Sequence, residues 1–572
     1  MELIQDLFAT VPDAQGVEQG HIGLPPAKRA IASLERILRA SHPCQLQFSS
    51  GKDSSACANL LFTAAINVLA DGLICPPIHV CHADTGVENP VVRALADAEQ
   101  AKMEAFAAAH QIPLTIHRAS PTLSASYAPR VIGGRALPPF PGVRRDCTTD
   151  WKIIPSQRVT RLVLEQTRPG HVPVVTIIGT RASESSARAV NTLAREESAH
   201  TLWFSPLGEA RLSPILDWDV DDVWTYLGEC AAGEHQSYSD FGDLMSFYSD
   251  AGASSCVVVA DMRSTSKACG ARGGCFVCTA VSQDGSATNM IASNPDRYPY
   301  LVPLVEFRDY IAATQWDWSK RNFLGRTIDG EGNIQVRADQ YSPQMCESLL
   351  RYLLAAQDSA NRLGAPARVC AIGLRELIAI DFYWSLRAWH PPFHALWVFL
   401  DHRAGNVQHA PRVSDPIRPT PLPTLGKIHV GRTWDDREHP LYPSGLRDPL
   451  WEMFSDSCGP PLRQNKAGKI FLDLEESAEF DVDEEGAAMF LDFEADRMID
   501  QHHKVEADWT IAASIYLRYG LITLATGQSS GIDDMLRRAQ WLQKNNLHGH
   551  QTAQDLRLRC TSVNAMQDEM FV

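Results

Sequence analysis

The sequence lacks the features that would place the protein in a membrane, outside the cell or on nucleic acid by charge alone. No apolar run approaches the roughly 20 residues that span a bilayer, and residues 1–19 are too acidic for a secretory signal. Basic residues are few, since 52 Lys and Arg stand against 68 Asp and Glu, giving a net charge of −16. Such a surface does not attract nucleic acid non-specifically, so DNA would be reached through a local basic patch or a partner. We expect a cytoplasmic protein without membrane contacts.

The 14 cysteines lack the regular spacing of a disulfide framework, and only one tight group of four is present. This distribution indicates reduced thiols together with one metal site. At 572 residues the chain is too long for a single core. We predict an N-terminal helical segment at 1–43, a nucleotide-binding domain at 44–230, a cysteine-rich region at 231–345 and an α-rich region of unknown role at 346–572.

Strands alternate with helices in the first half of the chain. Apolar runs predict strands at 44–48, 77–81, 113–116 and 173–178. Periodic apolar positions predict helices at 26–40, 56–70 and 91–110. Alternation of this kind indicates a Rossmann-like α/β fold, a parallel sheet with helices on both faces. Ligands of such sheets bind beyond the carboxyl ends of the strands, where each motif described below falls.

A loop of small polar residues follows the first predicted strand and opens a helix. It consists of Ser49, Ser50, Gly51, Lys52, Asp53 and Ser54. Unpaired N–H groups and the helix dipole favour a phosphate at such a place. Gly51 allows close approach of the backbone, and Lys52 supplies a charge for phosphate oxygens. The four-residue spacer of the Walker loop is missing, and an ordinary polar turn is the alternative.

Polar residues also follow the second predicted strand. Asp84 could accept a hydrogen bond from a ribose or from the adenine amine, and Gly86 would let a base lie against the backbone beside Thr85. A capped turn before the next helix is the alternative interpretation.

Further along the chain, positive charge surrounds one cysteine. Arg144, Arg145 and Lys152 lie near Cys147 in a chain that is otherwise acidic. This setting would suit phosphate binding and would lower the pKa of the Cys147 thiol. A buried, inert cysteine is the alternative.

The end of the fourth predicted strand carries two arginines. Gly179 frees the backbone there, and Arg181 and Arg188 could clamp phosphates with Glu184 orienting them. A solvated, charged helix start is the alternative interpretation.

The tight cysteine group has the spacing C-x12-C-x5-C-x2-C in a glycine-rich segment. Its members are Cys256, Cys269, Cys275 and Cys278. Four thiolates can bind a tetrahedral zinc ion or an iron–sulfur cluster. Zinc knuckles use two C-x2-C pairs and only one is present, so the uneven spacing favours a 4Fe-4S cluster, with structural zinc as the alternative.

Four of these motifs, in this order, resemble the ATP-pyrophosphatase (PP-loop) superfamily, which includes the phosphoadenosine phosphosulfate (PAPS) reductases. They are Ser-Ser-Gly-Lys-Asp-Ser, Asp-Thr-Gly, Cys-Thr-x-x-x-Lys-x-x-Pro, with Trp151 replacing the usual leucine, and Gly-x-Arg-x-x-Glu-Ser-x-x-Arg. The resemblance implies a fold of the adenine nucleotide α-hydrolase type that binds ATP with Mg²⁺. It implies as catalytic residues Lys52, Asp53, Arg181 and Arg188. It implies nucleotide contacts by Ser49, Ser50, Gly51, Lys52, Asp53, Ser54, Asp84, Thr85, Gly86, Arg145, Gly179, Arg181 and Glu184.

The cysteine segment, followed by Pro-Leu-Val-Glu-Phe-Arg at 303–308, looks like the DndC family of bacterial DNA phosphorothioation, to which SspD is related. Here Arg272 stands one place earlier than that pattern has its arginine. This resemblance, over about 40–350, implies an ATP pyrophosphatase whose four cysteines bind a 4Fe-4S cluster. It further implies a cysteine desulfurase and other phosphorothioation proteins as partners, and sulfur replacing an oxygen of the DNA backbone.

Four other functions share parts of this pattern. An assimilatory reductase is disfavoured because the sequence has neither a C-terminal Glu-Cys-Gly segment nor adjacent cysteine pairs. A PAPS-reductase-like enzyme acting on a small sulfonucleotide, a tRNA thiolation enzyme and a non-enzymatic iron–sulfur redox sensor are the alternatives.

The last third of the chain gives weaker signals. Helices are predicted at 344–362 and 374–388, and a buried helix at 507–526. Acidic residues crowd 471–500, which indicates a solvated face or a docking surface for a basic partner. His502 and His503 suggest a metal, but the sequence offers no further ligand at a useful spacing.

Overall fold

The computed structural model describes most of the chain. The described residues are 24–143, 146–167, 172–184, 186–206, 208–252, 273–413, 418–423, 425–436, 438, 442–446, 462–464, 470–472, 476–503 and 507–560. Within them, side chains at 167, 186–188, 433, 462–464 and 470–472 lie outside the description.

The first part of the chain forms a mostly parallel sheet covered by helices, as predicted. In order, the elements are α1 Pro26–Arg39, β1 Cys44–Phe48, α2 Lys52–Ala70, β2 Ile78–Ala83, α3 Pro90–Ala109, β3 Leu114–Ala119, α4 Ile154–Thr167, β4 Val175–Ile177, α5 Ser186–Ala194, β5 Trp203–Phe204, β6 Ala210–Leu212 and α6 Val220–Ala231. The strand order is β3-β2-β1-β4-β6-β5, and β5 alone pairs antiparallel in this sheet. Strands β5 and β6 were not predicted, because two or three residues are too few to show the apolar pattern of a strand.

Helix α2 corrects one sequence-based expectation. Its 19 residues are long and apolar enough to cross a membrane by length and composition. In the fold, 67% of that apolar window is buried inside the protein, and Leu60, Leu61 and Phe62 are fully covered. The apolar composition therefore belongs to a core helix, buried on most of its surface.

A histidine pair links β2 to β3, and its buried member, His79, predicts a pH dependence of stability. His79 Nδ1 lies 3.0 Å from His117 Nε2, and burial, with His117 nearby, lowers the pKa of His79 to about 4. In the unfolded chain the pKa of His79 is near 6.5. On acidification the unfolded chain therefore binds this proton at a higher pH than the folded protein does. Stability present above pH 6.5 is lost as the pH falls towards 4, by up to about 3 kcal/mol.

This loss is measurable by urea unfolding at a series of pH values. We expect His79→Gln to lose less stability than the wild type between pH 6.5 and 4, because glutamine does not titrate. His429→Gln changes an exposed histidine and should retain the wild-type pH profile. An unchanged profile in His79→Gln would contradict the assignment.

Helices and a hairpin follow the α/β part. They are α7 Gly242–Ala251, α8 Gly285–Ser293, α9 Val302–Ala313, β7 Arg321–Ile328 and β8 Asn333–Tyr341. Strands β7 and β8 pair antiparallel, and a two-residue strand, β9 (Ile428–His429), later joins β8.

The remaining elements are mainly helices. They are α10 Pro343–Arg362, α11 Leu374–Ser385, α12 His394–Arg403, β10 Leu462–Gln464, β11 Ile470–Leu472, β12 Glu476–Ser477, β13 Asp481–Val482, α13 Glu484–Phe493, α14 Ala495–His502, α15 Ile511–Arg518, β14 Ile522–Ala525 and α16 Ser529–Lys544. The buried helix predicted at 507–526 is wrong in its second half. Gly520, with φ 69°, turns the chain after α15, and β14 then pairs with β12 and β13.

The helical region packs directly on the segment that follows β3. Trp384 Nε1 donates to the carbonyl oxygen of Ile132 at 2.8 Å, and Arg387 donates to that of Gly134. Gly134, with φ 72°, has no room for a side chain because a Cβ would lie 2.0 Å from the Trp389 ring. One hydrophobic core therefore runs from α1 to α16.

Candidate functional site

The loop at 49–54 lies where β1 ends and α2 begins, at the carboxyl edge of the sheet. Ser50 adopts the left-handed conformation, with φ 58°. The Ser54 hydroxyl accepts from the backbone N–H of Ser49 at 3.2 Å and lies 3.0 Å from the carbonyl oxygen of Gly51. The Ser50 hydroxyl is buried without a hydrogen bond to any described residue. A buried, unpaired donor at a helix N-terminus is a group that would suit a phosphate oxygen.

Two buried cations meet at this loop, and one carboxylate lies between them. Lys52 and Arg181 are 8% and 3% exposed. Asp53 Oδ2 is 3.3 Å from Lys52 Nζ, and Asp53 Oδ1 accepts from Arg181 Nε at 2.6 Å. Arg181 also donates to the Ser183 hydroxyl at 3.1 Å. Asp53 therefore positions both cations.

The end of β4 touches the same loop. A Cβ on Gly179 would lie 3.2 Å from the backbone carbonyl group of Asp53 and 3.3 Å from the Ser54 nitrogen, so glycine permits this close approach. Glu184 ends the 3₁₀ turn that follows Arg181. Arg188 lies on α5, and its side chain is outside the described part of the chain, as is Arg145 entirely. The predicted contribution of these two arginines remains a prediction.

The loop after β2 is closed by hydrogen bonds of its own. Asp84 Oδ1 accepts from the Gly86 nitrogen at 3.0 Å and from Arg93 at 2.8 Å. Gly86 has φ 75° and open space where a side chain would lie. Glu88 Oε1 accepts from the Thr85 nitrogen at 2.6 Å. Asp84, Thr85 and Gly86 thus form a hydrogen-bonded turn at the carboxyl edge of the sheet, with an exposed backbone at Gly86.

The cysteine segment docks on this second loop as a short antiparallel bridge. The Asn89 nitrogen donates to the carbonyl oxygen of Gly274 at 3.0 Å, and the Phe276 nitrogen donates to that of Val87 at 2.9 Å. Between these two bonds, the sulfur of Cys275 lies 3.4 Å from the Thr85 hydroxyl. Residues about 190 positions apart therefore share one edge of the sheet.

Two of the four predicted cluster ligands can be located. Cys275 and Cys278 lie in one tight turn, in which the Cys278 nitrogen donates to the Cys275 carbonyl oxygen at 3.0 Å. Cys256 and Cys269 are outside the described residues. Burial raises the pKa of Cys275 to about 12, so without a metal this thiol is protonated at neutral pH. A metal that binds Cys275 would have to displace the proton of this thiol.

Cys147 lies close enough to this pair to interact with it electrostatically. Burial, and then the neighbouring Cys278, raise the pKa of Cys147, while Thr148 and Lys152 lower it to a smaller extent. We predicted that the surrounding basic residues lower the pKa of the Cys147 thiol. For the described residues this prediction is wrong, because burial raises the pKa by more than the charge of Lys152 lowers it. Cys147 stands just before a π-helical turn at Thr149–Ile153 that leads into α4.

Sequence reasoning missed two residues of this site. Tyr248 on α7 places its hydroxyl 3.5 Å from the Lys52 nitrogen and its ring 5.3 Å from Lys52 Nζ. Glu88 is half-buried where it pairs with Cys275 of the docked cysteine segment, and desolvation raises its pKa. Neither residue belongs to a local motif of the phosphate loop, and each reaches the site through tertiary packing.

Comparison with protein families identifies this part of the chain. Residues 43–236 match the family model of the phosphoadenosine phosphosulfate reductase domain. This region is a PAPS-reductase-like domain of the adenine-nucleotide-binding type, as the sequence motifs predicted. The match covers less than half of the chain and ends before the four cysteines. No curated protein matches the chain.

Among solved structures, the chain shows a weak similarity to Candida glabrata FMN adenylyltransferase. The complex with FAD and pyrophosphate is 12% identical with a TM-score of 0.21. The complex with FMN and the ATP analogue AMPCPP is 13% identical, also with a TM-score of 0.21. In both, the match covers 40% of this chain and 62% of the other.

Proposed function

We propose that the protein cleaves ATP to AMP and pyrophosphate and so activates a DNA backbone phosphate for sulfur insertion, using sulfur from a cysteine desulfurase. One observation carries this proposal, the docking of the cysteine segment on the loop after β2. It places the Cys275 sulfur 3.4 Å from Thr85, next to residues predicted to contact the nucleotide. Thiol chemistry and nucleotide chemistry would then share one site.

The nucleotide half of the proposal rests on the phosphate loop. Ser50 would donate its unpaired hydroxyl hydrogen to a phosphate oxygen. Lys52 and Arg181, positioned by Asp53, would offset the negative charge that builds up on the leaving pyrophosphate. Gly86 would leave room for the base or ribose.

Mg²⁺ would be held chiefly by the phosphates of ATP. The two carboxylates nearest the loop are both engaged, Asp53 by Lys52 and Arg181 and Asp84 by Arg93. A magnesium ion commonly keeps several waters and binds through few carboxylates together with substrate phosphates. The donor set here fits that mode and would not form a cage made of protein ligands alone.

In the proposed reaction, an oxygen of the DNA phosphate attacks the α-phosphorus of ATP. A new P–O bond forms as the bond to the β-phosphate oxygen breaks, and pyrophosphate leaves with that electron pair. Sulfide, released from a desulfurase persulfide by two electrons from thiols, then attacks the activated DNA phosphorus. The P–S bond forms as the P–O bond to AMP breaks, and AMP carries away the displaced oxygen.

Cys256, Cys269, Cys275 and Cys278 would hold the 4Fe-4S cluster. The hydrogen-bonded Cys275–Cys278 turn fits the C-x2-C half of such a site. When bound, a cluster of this kind supplies electrons or holds sulfur close to the nucleotide. The acidic chain, with a net charge of −16, would meet DNA through the other phosphorothioation proteins.

The test supplies anaerobically purified protein with ATP, DNA, a cysteine desulfurase and cysteine. We expect AMP and pyrophosphate to be released, and phosphorothioate linkages to be found by mass spectrometry of nuclease-digested DNA. Cys275→Ser should abolish sulfur incorporation, because a serine hydroxyl is a poor ligand for iron. Cys370→Ser, which alters an exposed cysteine outside the site, should leave both products unchanged.

Other products would identify the alternatives. Sulfur in tRNA would indicate a thiolation enzyme, and sulfite formed from a sulfonucleotide without ATP would indicate a PAPS-reductase-like activity. Nucleotide binding without any product would indicate a sensor. Each of these results contradicts the DNA modification proposed here.

A further inference from the structure

Three metal-ligating side chains converge in the helical region, far along the chain from the cysteine group. Glu347 lies on α10, His390 in the loop between α11 and α12, and His394 is the first residue of α12. One ligand atom from each lies within 4.8 Å of the others. Both histidines are at least nine-tenths buried. Two imidazoles and one carboxylate are a common donor set for divalent transition metals.

The hydrogen bonds of the histidines leave one ring nitrogen of each available. His390 Nε2 lies 3.2 Å from the carbonyl oxygen of Pro343, so Nε2 carries the hydrogen and Nδ1 keeps its lone pair. His394 Nδ1 contacts His503 Nε2 at 3.0 Å. His394 Nε2 is buried and faces a Glu347 oxygen at 3.1 Å. Metal-bound histidines typically have their second nitrogen engaged in this manner.

Glu347 is also oriented from outside the group. Arg351 Nε donates to Glu347 Oε1 at 3.0 Å, and the same guanidinium donates to Asp401 at 2.7 Å. The other oxygen, Oε2, is the one that faces His394. The carboxylate therefore has one oxygen held by an outer partner and one directed at the histidines, as a metal-bound carboxylate does.

An acidic cleft lies next to this group. A cavity of about 530 Å³ is lined by Trp397, Leu400, Asp401, Ala404, Asp496, Ile499, Asp500 and His503. His503 connects it to the metal-ligating group, because it contacts both the cleft and His394. Three carboxylates at the cleft make its potential negative, which raises the local concentration of cations.

We propose that Glu347, His390 and His394 bind one divalent transition-metal ion, zinc or ferrous iron. Two neutral imidazoles and one carboxylate leave at least one coordination position open, as catalytic zinc and non-haem iron sites do. The ion links α10 to the start of α12 and so stabilises the packing of these two helices. The site is independent of the nucleotide chemistry proposed above.

The test uses the full-length chain with Cys275→Ser and Cys278→Ser, so that the cysteine group does not take up the probe. After removal of metal with a chelator, Zn²⁺ or, without oxygen, Fe²⁺ is added and bound metal is measured after desalting. We expect one equivalent per chain, a higher Tm, and loss of both on Glu347→Gln or His394→Gln. His503→Gln should weaken affinity about 10–100-fold. Zn²⁺ should bind more tightly than Fe²⁺, as the general order of affinities for such donor sets requires.

X-ray absorption gives a second readout. The bound zinc should show nitrogen and oxygen ligands at about 2.0–2.2 Å and no sulfur at about 2.3 Å. His402→Gln is the matched control, because His402 is a buried histidine on α12 that pairs with Asp358 at 2.8 Å outside the group. It should bind metal normally. Circular dichroism shows whether each variant folds. If a Glu347 or His394 variant does not fold, Glu347→Asp is measured in its place, and we expect it to bind the metal more weakly than the wild type.

No bound equivalent would overturn the proposal. Equal binding by the folded Glu347 and His394 variants, or sulfur ligation of the bound zinc, would overturn it as well. The group would then be a buried ion pair.

Discussion

Lys52→Ala is expected to reduce pyrophosphate release from ATP by about 10²–10³-fold, the loss typical for one charged or hydrogen-bonding group that stabilises a transition state. Lys52 is 8% exposed, lies in the first turn of α2 and is held by Asp53 at 3.3 Å. In this setting little water would compete with the ammonium group for the phosphate oxygens of the nucleotide. The measurement is single-turnover release of pyrophosphate from labelled ATP.

Lys28→Ala serves as the control for this variant. Lys28 is an exposed lysine on α1, so the same change in charge is made away from the loop. It should release pyrophosphate at the wild-type rate. Equal rates for Lys52→Ala and the wild type would show that the loop at 49–54 does not act on the nucleotide.

Asp53→Ala is expected to lower the free energy of unfolding by about 3 kcal/mol, the lower end of the range for breaking a buried ion pair. Arg181 is 3% exposed, so its charge would be left buried with its closest carboxylate gone. Lys52 would then face Arg181 without the intervening negative charge. The Asp53 side chain is 21% exposed, which allows water to screen part of the loss. Chemical denaturation measures this difference.

Inorganic pyrophosphate adds a sharper measurement to the Asp53 variant. If the loop binds pyrophosphate, the anion should raise the unfolding midpoint of Asp53→Ala more than that of the wild type, because it replaces the missing negative charge. Asp97→Ala removes a carboxylate from an exposed pair with Arg118 and should cost less than about 1 kcal/mol. A variant as stable as the wild type, or equal shifts with pyrophosphate, would contradict the role given to Asp53.

Local patterns were sufficient to predict four of the six strands of the sheet and the place of the loops that follow them. The predicted strands at 44–48, 77–81, 113–116 and 173–178 correspond to β1 to β4, within a few residues at each end. Their order in space, with β1 between β2 and β4, puts the predicted motif segments at one sheet edge. Alternating strands and helices carry this information, since each crossover is right-handed and leaves its loops at the carboxyl ends.

Other predictions failed where a distant segment decides the outcome. The helix predicted at 507–526 becomes a helix and a strand because β12 and β13 provide hydrogen-bond partners for β14. Likewise, the sequence offered no ligands for a metal near His503, yet the fold brings His394 within 3.0 Å of it. Neither contact leaves a pattern in the residues next to it.

The sequence by itself determined the α/β domain and the position of the loop at 49–54 between a strand and a helix, because apolar periods and turn residues act over a few neighbouring positions. Only the tertiary structure decided how these parts meet. It placed Asp53 between two cations, docked Cys275 beside Thr85, and gathered Glu347 with two histidines. These contacts depend on how a core extending from α1 to α16 packs, and no local stretch of residues specifies that packing.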